Sequence, residues 1–289
     1  GWGGMASDGV LSVTVRDSAA AMDAISGYEP GAPYASPPQP RSFLDAVREK
    51  SSGKLRVGVL HEAWNGIAIA PECLAAVEKA ASLIRDLGHE VADARLPDID
   101  YDGFVRAHGT VLATNITLAV DARLKVAGRA PTDDDLEPVL LDGYAIGKTL
   151  GAGQYVDAIQ RFHAIGRAFA TAMANYDLIL TPTLTQLPAP LGYLSLNACG
   201  FWDFRARVAQ YATFLAVINA SGQPAASLPL SWTAEGVPVA VQLIGRFGQE
   251  DRVLELSAQL ERAAPWAGRI PSFAAIPDKR GLQAAAEMA

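Results

Sequence analysis

The chain has 289 residues, half of them hydrophobic and 19% charged, which supplies a core and is unlike a disordered composition. Its length suits one large domain or two small ones. The formal net charge of −7 offers no basic footprint for nucleic acid or an anionic membrane, and no apolar run approaches the roughly 18 residues of a membrane helix.

Cys73 and Cys199 are far apart and make no metal or redox motif, so they read as buried thiols in a reducing compartment. The first residues, Gly1-Trp-Gly-Gly-Met5, lack the basic region and apolar stretch of a secretory signal, and a cytoplasmic location is expected.

Taken in order, Val10, Val13 and Val15 suggest a short strand, with Asp17 or Ser18 capping a helix from Ala19 to Ile25 that stops at Gly27. Residues 30–41 are too rich in proline for a helix or central strand and read as an extended connector laid on the surface. Arg41 to Lys50 looks like a short amphipathic helix. Leu55 to Leu60, Pro71 to Leu87 and His89 to Leu96 form a βαβ unit, with parallel strands and a right-handed crossover. No Gly-rich fingerprint joins its first strand to its helix, so a dinucleotide site is not expected. His61, at that strand's carboxyl end, reads as a satisfied loop histidine.

Tyr101 to Leu124 is a long helix carrying His108 and Asn115, either as a polar or core-bonded face or as pocket lining. Pro131 to Glu137 looks like a helix start with acids in its first turn. Its three consecutive aspartates point in alternate directions and read as a solvated charge run rather than a metal site. Gly143 to Thr149 fails as a phosphate loop, because three residues, not four, separate its glycines. Ala152 to Asn175 is a helix with a core-facing side, and His163 on it reads as structural. Asp177 to Thr183 is a strand, residues 184–200 are an irregular Pro-containing loop of the kind that forms walls or lids, and Phe201 to Val217 is a helix.

Ser221-Gly222-Gln223-Pro224 is then a turn cluster. Ala225 to Leu230 reads as a strand buried on both faces, and Val237 to Ile244 as a second strand with Pro238 near its start or on an edge. Gln242 is one amide in that apolar run; once buried it must either order a neighbouring loop or face a pocket. Glu250 to Ala264 is the last core helix.

Several of these stretches resemble the amidase signature family. They are Gly9, Leu11, Thr14-Val-Arg-Asp17 and Ala19; Tyr176-Asp-Leu-Ile-Leu-Thr-Pro-Thr183; Asn219-Ala-Ser-Gly-Gln-Pro224; Ser227-Leu-Pro229; Gly236-Val-Pro238; and Val241-Gln-Leu-Ile-Gly-Arg246. The resemblance implies an α/β layered fold with a mixed β-sheet between helices, and hydrolysis of carboxylic amides by a Ser–cis-Ser–Lys triad without a cofactor. It further implies substrate-pocket roles for Thr181, Thr183, Asn219, Ser221, Gly222, Gln223 and Asn115. The connector from Tyr34 to Phe43 is similar to that of bacterial members acting on linear or cyclic amides, nylon-oligomer hydrolases among them.

No catalytic residue carries over. The family's lysine and its Gly/Ser-rich signature precede the segment matched at Gly9 to Ala19, and the N-terminal part of the fold is expected to be absent from this chain. Ser51-Ser-Gly-Lys54 holds suitable residue types but is explained as a loop leading into a strand. The chain therefore reads as the C-terminal portion of one domain. Its parts are a Pro-rich connector at 30–41, a βαβ unit at 54–97, a helical region at 101–175, a sheet core and last helix at 176–266, and a tail at 267–289. The expected partners are a small-molecule amide and the N-terminal half of the same fold, in the same or a separate chain, with a homodimer as a further possibility. Two rival readings are a non-catalytic subunit completing a separate half and an unrelated α/β small-molecule-binding domain.

Overall fold

A mixed sheet forms the middle layer of the computed structural model, which describes residues 1–32, 34–49, 53–132 and 134–269. Its five strands are β1 (Arg56–Val59), β2 (Glu90–Asp93), β3 (Leu178–Pro182), β4 (Ala225–Trp232) and β5 (Pro238–Gly245), in the order β2-β1-β3-β5-β4. The first three run parallel, and β5 is antiparallel to both β3 and β4. The βαβ unit forms as expected around a helix at Pro71–Asp86, which begins on its proline.

Alternation along the strands sends side chains to two separate cores. Leu178, Leu180, Leu228, Val241 and Leu243 face one layer. That layer contains α1 (Val15–Ile25), α2 (Phe43–Arg48), α3 (Pro71–Asp86) and the last helix, α9 (Glu250–Ala263). Ile179 and Ile244 face the other, built on α4 (Tyr101–Ala127), α6 (Ala152–Ala172) and α8 (Ala216–Ser221). A smaller cluster of Ala113, Val139 and Phe201 joins α4 to α5 (Pro138–Thr149) and α7 (Phe201–Tyr211).

Four local expectations are corrected. No strand forms at Val10 to Val15: Val10 and Val13 are exposed, and α1 starts at Val15 because the Thr14 hydroxyl accepts the Asp17 N–H at 3.1 Å. The helix expected from Pro131 begins instead at Pro138, while Asp135 is drawn to Arg129 and Thr132. The strand expected to be buried on both faces lies at the sheet's edge and is open on one face, with Ala225 and Ser227 exposed while Leu228 and Leu230 are buried.

The helix expected from Phe201 to Val217 breaks after Tyr211. Carbonyls in the break are taken by donors from elsewhere: Gln210 and Tyr211 accept from Thr185, Thr213 accepts from Tyr101, and Phe214 accepts from Gln242. These tertiary bonds replace those of a continuous helix.

The connector lies on the N-terminal end of α9, as a surface crossing should. Gln39 bonds Glu250, and Arg41 reaches both Asp251 and the buried Glu255. Asp133, Lys50, Ser51, Ser52 and the tail from Ile270 lie outside the described residues.

Candidate functional site

The carboxyl ends of parallel strands are where open α/β sheets present groups to ligands. At the end of β3 the chain places Thr181, Pro182 and Thr183. Strand pairing sets Thr181 opposite Gln242, and Gln242 opposite Ser227, so one polar row crosses three strands on one face. Gln242 is buried, and its amide donates to Thr181 Oγ1 at 3.2 Å and to the Phe214 carbonyl at 3.1 Å. Of the two roles open to it in sequence, it performs the ordering of a loop. The fully buried Thr181 hydroxyl donates to the Pro182 carbonyl. Thr183 is more open, and its hydroxyl lies 2.9 Å from that of the exposed Ser227.

The second group of expected residues sits one connection earlier. Asn219 and Ser221 lie within α8 rather than after a helix, and Gly222 ends α8 with φ of 78°. That left-handed conformation favours glycine. Asn219 is exposed and donates to the Met5 carbonyl at 3.0 Å, tying the N-terminal segment to this helix. The Ser221 hydroxyl donates back to Ile218. Gln223 is buried with its Oε1 unpartnered. Asn115 stands apart on α4, where its amide donates to the Val111 carbonyl.

A polar cluster, of which the sequence signalled only His108, adjoins this region. Tyr101, at the start of α4, donates to the carbonyls of Ala209 and Thr213. Further along the same helix, His108 Nδ1 accepts from Arg205 Nη2 at 2.7 Å. Burial and the adjacent guanidinium push His108 down to about 3, so the imidazole is neutral. Burial also lowers Arg205 and raises Tyr101. The α4–α7 contact arises only in the fold, so no spacing in one sequence reveals it.

Other chemistry-bearing residues are engaged elsewhere. His61 lies 3.3 Å from both Glu78 and Asp93. Lys54 pairs with Glu90 at 3.0 Å before β1, at the opposite end of the sheet from the Thr181–Thr183 row. Gly143 to Thr149 lies within α5, not in a strand-to-helix loop. Cys73 is buried and Cys199 half-buried, neither in a disulfide. Among the described residues no group of three or more His, Cys, Asp or Glu side chains is placed to hold a metal ion. No helix of the described residues is long and apolar enough to cross a membrane.

The sheet with helices on both faces, and a strand-end row of neutral hydroxyls and amides, define a layered α/β protein. The chain belongs to the amidase family, whose model matches residues 3–254, and this rules out an unrelated α/β domain. It is 34% identical over 283 residues to a 6-aminohexanoate-cyclic-dimer hydrolase of Paenarthrobacter ureafaciens, covering 93% of this chain and 56% of that protein. It is 33% identical over 281 residues to a 6-aminohexanoate-cyclic-dimer hydrolase of Pseudomonas sp. (strain NK87), again covering 93% of this chain and 56% of that protein. Its fold is similar to the solved structure of a 6-aminohexanoate cyclic dimer hydrolase complexed with substrate. The TM-score is 0.81 at 30% identity, over 90% of this chain and 55% of that one. The chain thus spans about half the length of the relatives it matches.

Proposed function

We propose that this chain is the C-terminal portion of an amide hydrolase and supplies the scaffold of its substrate pocket. The reading rests on family membership together with one structural observation: a row of neutral hydrogen-bonding groups at the end of β3, open at Thr183 and Ser227. Hydroxyls and amides of this kind bind a carboxamide, which is itself neutral and both donates and accepts. Thr183, Ser221, Gly222 and Gln223 line the pocket in this reading. Thr181, with its hydroxyl turned inward, shapes it through backbone groups, and Asn219 and Asn115 belong to its walls.

The bond-breaking residues belong to the N-terminal part of the fold. There a lysine takes a proton from the bridging serine, which takes one from the nucleophilic serine as it attacks the carbonyl. The amine leaves with a proton, an acyl-enzyme remains, and water releases the acid. Backbone N–H groups near the nucleophile stabilise the oxyanion. The likeness to cyclic-dimer hydrolases favours an aliphatic linear or cyclic amide as substrate. A cytoplasmic setting and a homodimer are carried forward from the sequence on the same footing.

The test is hydrolysis of an aliphatic, an aryl and a cyclic amide by this chain alone and with an N-terminal half of the family fold added. Activity only after addition is the expected result. If that half copurifies as a separate chain, the protein is a split enzyme in which this chain is the non-catalytic subunit. Turnover by this chain alone, lost on Lys54→Ala or Ser52→Ala, would overturn the placement of the chemistry.

A further inference from the structure

Arg205 is 8% exposed, and buried arginines are ordinarily paired with an anion. This one is not. Of the five N–H donors of a guanidinium, one is used, from Nη2 to His108 Nδ1. Its Nε is buried with no partner. Among the described residues no carboxylate forms an ion pair with it.

His108 does not supply the missing charge. Its Nδ1 lone pair faces the guanidinium, so the neutral ring carries its proton on Nε2 and offers another donor. Phe104 stacks on the imidazole with ring centroids 5.7 Å apart, which holds it in place. A second buried group is also unsatisfied: the hydroxyl of Thr213, the residue whose carbonyl Tyr101 holds. The unused groups are thus mostly donors around a fixed positive charge, the complement of a carboxylate.

Their position connects them to the strand-end row. Thr213 precedes Phe214, whose carbonyl is bound by Gln242 in the middle of that row. Half-exposed Trp202 flanks the cluster, its ring lying on α4 where Gly109 has no side chain.

We infer that Arg205, oriented by His108, is the receptor for a carboxylate carried by the substrate, so that the amide hydrolysed bears a free acid group remote from the scissile bond. The inference rests on the amide-hydrolase reading but has a readout independent of turnover. The carboxylate pairs with the guanidinium while the amide lies along Thr183 and Ser227. An amide lacking the acid leaves the guanidinium without a counter-ion and is a poorer substrate.

The experiment uses the protein with both halves of the fold present. Adipic acid monoamide is compared with hexanamide, which has the same chain length and a methyl group in place of the carboxylate. The wild type is expected to prefer the acid amide by at least about tenfold in kcat/KM, and Arg205→Gln to lose that preference through a raised KM. Arg205→Lys, which keeps the charge, is expected to restore part of it.

Adipate, which has no amide to hydrolyse, is expected to raise the wild-type Tm and leave that of Arg205→Gln unmoved. Equal kcat/KM for the two amides, or no adipate effect on the wild type, would overturn the proposal. The wild-type measurements decide even if a variant does not fold. Failure to hydrolyse any amide while adipate still binds through Arg205 would overturn the amide reading and leave the carboxylate site standing.

Discussion

Replacing Gln242 with leucine tests whether one buried amide holds the break between α7 and α8. Gln242 is 4% exposed, and its amide bonds Thr181 Oγ1 and the carbonyl of the fully buried Phe214. Leucine has a similar volume but no donor. The Phe214 carbonyl is then left inside the protein without that partner and the bond to Thr181 is lost as well, at a combined cost of about 2–3 kcal/mol. The added apolar burial returns roughly 1 kcal/mol. A net loss of about 1–2 kcal/mol is expected, a fall in Tm of roughly 3–6 °C.

Thr181→Val is expected to cost less, about 1 kcal/mol, because Gln242 keeps its bond to Phe214. The double variant should lose less than the two single losses summed, since both remove the same Thr181–Gln242 bond. Urea unfolding measures all three, with the slope unchanged if only stability is altered. A Gln242→Leu protein as stable as the wild type would refute the reasoning, and so would strict additivity in the double variant.

Two further effects are expected. Arg41→Ala removes one of the cations on the buried Glu255 while Arg252 keeps its contact at 3.0 Å, so stability should fall by about 2 kcal/mol in urea unfolding. Because the His108 pKa is lowered from 6.5 to about 3 in the folded protein, the native state binds fewer protons between those values. Its stabilising contribution is therefore complete above about pH 6.5 and is lost as pH falls toward 3, by at most about 1.4 kcal/mol per unit. His108→Gln, which keeps an acceptor for Arg205 but does not titrate there, should flatten that part of the urea-midpoint profile between pH 7 and 4.

Much of the architecture is local physics and could be read along the chain. The βαβ unit is visible because strand and helix periods differ and Pro71 and Gly88 mark the helix ends. Pro238 has no ladder donor, and it does begin its strand. The amidase likeness was also legible, since its motifs are runs of neighbouring residues and the family match covers them. What the sequence could not decide is which groups meet across the fold. Whether β4 is central or an edge depends on whether another strand pairs with it. Where α7 stops depends on donors from Thr185, Tyr101 and Gln242, all far away in sequence. The pairing of Arg205 with His108 needs α4 and α7 packed together, 97 residues apart. Periodicity reports which face of an element is apolar; only tertiary packing chooses the partner of each buried polar group, because that choice is made by geometry between elements rather than within one.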